Sequence, residues 1–300
     1  MNDTSRIARA MWTLFEPVHA ITYFSPECRG GFEQAGLRGF WRGYFAGRSA
    51  PLGPVGAGPV IAIYSGFAPD FVRRALPAVW SLITPERALE VRRAGAVATL
   101  RRLVPDDSEV DQAAAALEPV AARVAYAGHP LGAANAELPT SDEPYARLWQ
   151  AATVLREHRG DAHVAALVAA DIAGLDVILL RCGLDLPRDL LQPARGWTDD
   201  DWAAGTARLV ADGLLDETGS ATAAGRSRIA AAEELTDRIA AGVWHSLSAD
   251  ECGLVAKRLA PIARACDGDI PRLTPIGHRV LWDVEGDPDA AAVAAPGDPA

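Results

Sequence analysis

Groups able to transfer a proton are concentrated in one short segment, Glu157-His158-Arg159-Gly160-Asp161-Ala162-His163. Its carboxylates and imidazoles could act as general acids and bases near neutral pH. The surrounding apolar pattern predicts that one helix stops at Arg159-Gly160 and that Asp161 caps the next. Backbone N–H groups exposed at such a break, together with the helix dipole, would hold ionised side chains beside a bound molecule. The candidate catalytic residues are therefore Glu157, His158, Asp161 and His163.

Two other interpretations of this segment stay open. In the first it is structural, so that Asp161 only caps a helix, the histidines are satisfied by packing, and Glu157 is solvated. In the second, His158 and His163 bind a metal with His19 as a third ligand. These two histidines flank the predicted break without the i, i+4 spacing of a zinc-binding helix, and no cysteine pair adds ligands. We therefore predict no metal site.

A second candidate region is the aromatic run Phe40-Trp41-Arg42-Gly43-Tyr44-Phe45-Ala46-Gly47-Arg48, in a chain that is only 7% aromatic. Beside Trp12, Tyr23 and Phe24, it could line an apolar pocket in which Arg42 or Arg48 binds an anion, although core packing would also explain it. A weak match between the two halves of the chain places His19 near Glu157 or His158. The candidate ligand-binding residues are His19, Tyr23, Trp41, Tyr44 and Arg48.

No other catalytic motif is complete. The glycine-rich residues 51–58 lack the Lys-Ser/Thr pair of a phosphate-binding loop and the strand context of a dinucleotide site. No G-x-S-x-G motif occurs, and neither Ser49 nor Ser65 has an evident histidine partner. We therefore predict no cofactor.

Length and composition limit the class of protein. The chain has 300 residues, is 49% hydrophobic and 23% charged, and can form one large or two ordinary domains. No apolar run is long enough to span a membrane and no secretory signal is evident, so we expect a cytoplasmic protein without a membrane partner. Its four cysteines form no C-x-x-C pair, which argues against a zinc ribbon or a disulfide framework. A net charge of −10 disfavours a surface built for phosphate backbones.

The elements that must position these residues are mostly helices separated by Pro and Gly. Thr84-Pro85-Glu86 is typical of a helix start. The Gly- and Pro-rich residues 127–143 predict a linker between an N-terminal helical unit, residues 1–126, and a second unit, residues 144–282. The acidic Ala/Pro/Gly residues 283–300 predict a disordered tail.

The second unit has an informative order of elements. A short helix over Pro187–Ala194, a turn at Gly196-Trp197, a helix capped by Thr198, and a polar hairpin over Asp216–Ala221 precede a long helix from Arg226. Short helix, turn, helix, hairpin and long helix is the order of a winged helix-turn-helix.

These residues resemble the MarR-type winged-helix family. The likeness is carried by Arg208-Leu209-Val210-Ala211-Asp212-Gly213-Leu214-Leu215 and by Thr222-Ala223-Ala224-Gly225-Arg226, and Trp244–Arg264 looks like that family's dimerisation helix. The resemblance implies DNA binding and a ligand site near a dimer interface. The chain also resembles a group of actinobacterial single-chain helix-turn-helix proteins, at Glu16-Pro17-Val18-His19 and Glu157-His158-Arg159-Gly160-Asp161, which implies no particular activity.

The halves of the chain resemble each other weakly. Trp80 precedes Thr84-Pro85-Glu86 as Trp197 precedes Thr198-Asp199-Asp200. We predict a mainly α protein with a winged helix-turn-helix. If the duplication is real, the chain forms two tandem winged-helix-like units, the first degenerate, in a single-chain pseudo-dimer.

Charge decides between two functions. Residues 187–229 hold five arginines against seven carboxylates, and three aspartates open the helix that would enter the major groove. We therefore favour a protein that binds a small molecule between its halves, with cofactor-independent acid–base catalysis as an extension. The alternative is a ligand-responsive MarR-type regulator that binds DNA. The sequence leaves open whether the protein is a monomer or a homodimer.

Overall fold

The computed structural model describes residues 3–277 and 280–286, and this part of the chain is mainly helical, as the sequence predicts. Its α-helices are, in chain order, α1 (Asp3–Phe24), α2 (Pro26–Gln34), α3 (Phe40–Ser49), α4 (Ala57–Ile63), α5 (Pro69–Arg73), α6 (Pro85–Leu103), α7 (Asp107–Ala121), α8 (Pro130–Ala136), α9 (Pro144–Ala169), α10 (Leu175–Cys182), α11 (Arg188–Arg195), α12 (Asp199–Ala211), α13 (Ala223–Ala240) and α14 (Ala249–Asp269). Short 3-10 helices cover Ala50–Leu52, Ala78–Ser81 and Ala241–Trp244. Within these residues, extended pairing is limited to an isolated antiparallel bridge between Leu215 and Ala221.

Local capping signals place several helix starts. The Thr84 hydroxyl accepts the Arg87 N–H at the start of α6, which confirms the predicted cap. Thr198 forms a capping box with Asp201 at the start of α12, and Ser248 forms another with Glu251 at the start of α14. Helices α6 and α12 begin where the sequence predicts because a side chain only three residues away satisfies the free backbone donor, whereas the helix expected from Trp244 begins at Ala249.

The main core crosses the predicted boundary between the two units. It packs α1 and α9 against α6, α7 and α14, and its buried side chains include Leu14, Leu117, Trp149 and Leu259. Residues 127–143, predicted to be a linker, contain α8, whose Leu131 is fully buried. Trp282 and Val284 also pack against this core, so the predicted tail is part of the fold at Val284. The rest of the predicted tail, from residue 287 onward, lies outside the described residues.

Two smaller cores lie beside the central helices α1 and α9. The aromatic lobe, residues 32–91, is built around Phe45, Tyr64, Phe67 and Leu76. The helix-turn-helix lobe, residues 167–232, is built around Leu180, Leu191, Trp202 and Ile229. The space between these two lobes is the setting of the candidate site.

The predicted helix break at Arg159-Gly160 is wrong. Helix α9 runs without interruption from Pro144 to Ala169. A glycine inside a helix costs only about 1 kcal/mol relative to alanine, and α9 recovers this by packing against α1, α7, α8 and α13. Residues 157–163 therefore have no exposed backbone donors, and their side chains spread around a continuous helix.

The turn between α11 and α12 is docked on the aromatic lobe. Gly196 ends α11 with φ of 75°, a left-handed conformation that favours glycine. The Ala68 N–H donates to the Arg195 carbonyl, and Trp197 Nε1 donates to the Gly66 carbonyl. These bonds fix the helix-turn-helix lobe against the aromatic lobe. The winged arrangement and the tandem duplication stay predictions.

In the described residues, no helix has the combination of length and apolar character that crossing a bilayer requires.

Candidate functional site

A cavity of about 1220 Å³ lies between the aromatic lobe and the helix-turn-helix lobe. The aromatic lobe contributes Trp41, Tyr44, Tyr64 and Phe67 to its wall, and the helix-turn-helix lobe contributes Val177, Ile178, Leu184 and Leu191. Helices α1 and α9 form its floor, where Trp12, Arg156 and Gly160 lie. A cavity of this size accommodates a drug-sized molecule.

The floor of the cavity is held by an ion pair between the two regions predicted to be functional. Arg48 of α3 makes two bonds of 2.9 Å to the carboxylate of Glu157, which is fully buried in α9. Arg156 lies 2.9 Å from the same carboxylate. The Arg48 guanidinium also stacks over Tyr64 at 4.1 Å and donates to the Tyr44 hydroxyl. Glu16 lies 3.4 Å from Arg156, so the two arginines of this cluster are balanced by two carboxylates.

A second buried network closes the other end of the floor. Asp237 of α13 accepts a 2.7 Å bond from Arg9 and another from Arg159. Glu233 lies 2.8 Å from Arg9 and 3.6 Å from His163. Burial lowers the pKa of His163, so its imidazole is neutral at pH 7. This network ties α1, α9 and α13 together beneath the cavity.

Arg195, at the end of α11, has no comparable partner. Its guanidinium stacks over Phe67 at 4.7 Å, and one Nη donates to the Pro275 carbonyl at 2.9 Å. Its Nε is buried without a hydrogen-bond partner, and no carboxylate in residues 3–277 and 280–286 pairs with it. Burial and nearby cations, among them Arg48, lower its pKa. Arg195 thus brings an unbalanced positive charge to the cavity wall.

The walls of the cavity carry more positive than negative charge. The arginines that line it are Arg9, Arg48, Arg156, Arg159, Arg181, Arg195 and Arg226. The carboxylates that balance them, in the cavity or directly behind it, are Glu16, Glu157, Asp185, Glu233 and Asp237. Because the arginines outnumber the carboxylates by two, the cavity favours an anionic molecule.

His19 and Tyr23 lie together at the edge of the cavity. His19 Nε2 is 2.8 Å from the Tyr23 hydroxyl, and Nδ1 is 3.0 Å from Thr153 Oγ1. Tyr23 and Tyr44 line the cavity, whereas His19 is buried behind Tyr23. Burial lowers the pKa of His19 well below its usual range and raises that of Tyr23. Both groups are therefore neutral at pH 7.

His158 and Asp161 face away from the cavity. The Asp161 carboxylate accepts the N–H groups of Leu131 and Gly132 and so caps α8. The His158 ring stacks on His129 with centroids 3.8 Å apart. Burial raises the pKa of Asp161 to about 7, although the two N–H bonds oppose that shift. Neither residue lines the cavity, because a continuous α9 turns them to its other side.

Of the predicted site residues, Tyr23, Trp41, Tyr44, Arg48 and His163 line the cavity. Glu157 lies directly behind its floor, bonded to Arg48. Trp12, expected beside the aromatic run, also lines the cavity. Sequence reasoning missed Arg156 and Arg195. Arg156 precedes the polar segment directly, and this proximity could have identified it. Arg195 carries no local signal, because its position depends on how distant elements pack.

The comparison with protein-family models matches residues 8–271 to a family described as a helix-turn-helix family. The chain belongs to this family. No curated protein and no solved structure matches the chain.

The helix-turn-helix surface of this family member is acidic. Asp199, Asp200 and Asp201 are exposed in the first turn of α12. The arginines nearby are already paired, since Arg188 contacts Asp199 and Arg208 contacts Asp176. A duplex approaching α12 would therefore meet unbalanced negative charge.

The basic residues of the N-terminal half are largely neutralised as well. Arg102 pairs with Glu27 and Asp269, and Arg101 pairs with Glu143. Arg92 is buried. In the described residues, no group of three or more His, Cys, Asp or Glu side chains is arranged to hold a metal ion.

The buried His158 predicts a loss of stability in acid. Burial, and to a lesser extent His129, lower the pKa of His158 from 6.5 to about 3. The unfolded chain therefore binds a proton first as the pH falls, so this contribution to stability is present above pH 6.5 and is lost between pH 6.5 and about 3. His158→Phe keeps the stacking on His129 but removes the titration. We expect the variant to retain about 2 kcal/mol more of its unfolding free energy than wild type between pH 7 and pH 5.

Urea unfolding at several pH values measures this difference. The comparison cancels the contribution of Asp161, whose raised pKa favours stability at low pH in both proteins. Parallel stability curves for wild type and His158→Phe would contradict the prediction.

Proposed function

We propose that this helix-turn-helix protein binds a small molecule in the cavity between its aromatic and helix-turn-helix lobes. The observation that carries the proposal is the cavity itself, whose volume of about 1220 Å³ is walled by Trp41, Tyr44 and Phe67 on one side and by aliphatic side chains on the other. Binding sites for small molecules combine such apolar walls with a few polar groups that fix orientation.

The polar groups at the floor favour binding over proton transfer. Burial alone would raise the pKa of Glu157, but Arg48 and Arg156 outweigh it and hold the pKa well below its ordinary value. A carboxylate that is ionised and bonded to two guanidinium groups is a poor general base. Of the other predicted proton carriers, His158 and Asp161 face α8, and His163 lines the cavity with its Nδ1 held 3.2 Å from Thr236 Oγ1. The floor therefore supports recognition of a ligand more directly than catalysis.

A cavity-filling variant tests this proposal. Val164 lines the cavity on α9, and Val168, one turn later, is 64% exposed and outside it. N-phenyl-1-naphthylamine, a neutral dye that fluoresces in apolar surroundings, serves as the probe. We expect Val164→Trp to weaken dye binding by at least about tenfold, because a buried indole occupies the space that the dye needs.

The matched control is Val168→Trp, which makes the same substitution on the same helix and should bind the dye like wild type. Circular dichroism melting verifies that both variants fold. Equal dye affinity in Val164→Trp and wild type would place dye binding elsewhere and refute the proposal.

The alternative function is a ligand-responsive regulator that binds DNA. Membership of a helix-turn-helix family and the order α11, turn, α12 favour it. The exposed aspartates at the start of α12 count against it. Fluorescence anisotropy with duplexes from the region flanking the gene distinguishes the two functions. Tight binding that weakens steeply with salt would support the regulator, whereas its absence at low salt would exclude it.

A further inference from the structure

We infer that the molecule bound in the cavity is an organic anion, with an acidic group that pairs with Arg195 and an aromatic body that packs against the aromatic lobe. This inference rests on the proposed function, because it concerns the ligand of the same cavity. The groups that carry it are the Arg195 guanidinium, the neighbouring ion pairs and the rings around Phe67.

Arg195 offers a donor that the protein itself does not satisfy. Its Nε is buried and has no hydrogen-bond partner, while one Nη is occupied by the Pro275 carbonyl. The Arg195 side chain nevertheless lines the cavity, and in the described residues no carboxylate pairs with it. A carboxylate or sulfonate in the cavity would pair with the part of the guanidinium that faces the cavity and would neutralise its charge.

The other buried cations near Arg195 cannot replace it as the anchor. Arg48 pairs with Glu157, Arg156 pairs with Glu157 and with Glu16 at 3.4 Å, and Arg181 is bonded to Asp185 at 2.7 Å. Their charges are balanced before any ligand arrives. Arg226, the second lining arginine that no carboxylate of the described residues pairs with, is exposed, so water already solvates its charge. An entering anion therefore gains most from Arg195, and the paired arginines strengthen the field around it without losing their own partners.

The rings beside Arg195 indicate the rest of the ligand. The guanidinium covers one face of Phe67, and Trp41 meets Phe67 edge-on with centroids 5.7 Å apart. Tyr44 lies 5.6 Å from Phe67 and continues the wall toward Tyr23. A flat aromatic body packs well against such rings. The geometry thus places an acidic head at Arg195 and a ring system along Trp41 and Tyr44.

Two dyes that differ by one anionic group test the inference. 8-Anilinonaphthalene-1-sulfonate carries the ring system of N-phenyl-1-naphthylamine and adds a sulfonate. We expect the wild-type protein to bind the sulfonate at least about tenfold more tightly than the neutral dye. We expect Arg195→Gln to remove most of that difference while it changes the affinity for the neutral dye by less than about twofold.

The matched control is Arg188→Gln, on the same helix α11. Arg188 is half-exposed, pairs with Asp199, and lies outside the cavity, so its loss should leave both affinities unchanged. Circular dichroism melting verifies that Arg195→Gln and Arg188→Gln are folded, because apolar dyes also bind partly unfolded states.

The outcomes separate this inference from the proposed function. If wild type binds both dyes equally and Arg195→Gln changes neither affinity, the anion inference is overturned and the cavity remains a neutral binding site. If Val164→Trp leaves both affinities at the wild-type value, the dyes bind elsewhere and both proposals fail. Selective loss of sulfonate binding in Arg195→Gln, together with loss of both dyes in Val164→Trp, supports both.

Discussion

Replacement of Glu157 by alanine is expected to lower the unfolding free energy by about 3–5 kcal/mol. Glu157 is fully buried, and its carboxylate is the shared partner of Arg48 and Arg156. Its removal leaves Arg48 without a carboxylate partner and leaves Arg156 with only Glu16, 3.4 Å away, in surroundings that solvate the two guanidinium groups poorly. The ion pair also joins α3 to α9, so the floor of the cavity would loosen at the same time. Urea unfolding at pH 7 measures the loss.

Two controls show whether burial of the charge is the cause. Glu90 pairs with Arg87 on the surface of α6, where both side chains are more than half exposed, and Glu90→Ala should cost less than about 1 kcal/mol. Glu157→Gln keeps the shape and one acceptor oxygen but loses the charge, so its cost should fall between those of the two alanine variants. A cost for Glu157→Ala no greater than that of Glu90→Ala would show that solvent reaches the pair and that the floor is open.

The ion pair between Arg48 and Glu157 shows which features of the site can be predicted from the sequence. Each belongs to a region singled out for its own composition, one aromatic and one polar, and the residues are 109 positions apart. Nothing in either segment specifies the contact, which forms because α3 and α9 both pack against α6. The residue types were therefore predictable, but the pairing depends on tertiary structure.

Local signals succeeded where the interaction that they describe is local. The caps at Thr84 and Thr198 involve a backbone donor only three residues away, so neighbouring residues specify them completely. The predicted break at Gly160 failed because contacts made by the whole length of α9 outweigh the preference of one residue. That error also grouped His158 and Asp161 with the site, since residues adjacent in sequence point to different sides of a continuous helix.

Arg195, in contrast, is a residue of the site that no local sequence pattern identifies. It ends a short helix in a pattern that predicts DNA contacts, and its role in the cavity follows from the position of Phe67 and Pro275. The family membership does not reveal that role either, because a helix-turn-helix can carry many functions. The cavity, and not the helix-turn-helix alone, therefore carries the proposed function of this chain.

Gly196→Ala is expected to cost about 2–5 kcal/mol and to weaken binding in the cavity. Two effects add: a side chain at a φ of 75° is strained by about 1–2 kcal/mol, and overpacking adds about 1–3 kcal/mol. A Cβ on Gly196 would collide with Cβ and Cγ of Phe71. Because those atoms lie close to the backbone of α5, a rotation of the ring cannot relieve the clash, and the two lobes must move apart.

Gly213 provides the matched control for this prediction. It has a φ of 70° in the same lobe, but a Cβ there would meet no atom within 4 Å. Gly213→Ala should therefore show only the backbone strain, about 1–2 kcal/mol, and unchanged affinity for N-phenyl-1-naphthylamine. The excess cost of Gly196→Ala then measures the docking of the turn on Phe71. Because that docking holds together the two walls of the cavity, the larger loss of stability in Gly196→Ala should be accompanied by a loss of dye affinity. Equal losses of unfolding free energy and equal dye affinities in the two variants would mean that the lobes are held together elsewhere.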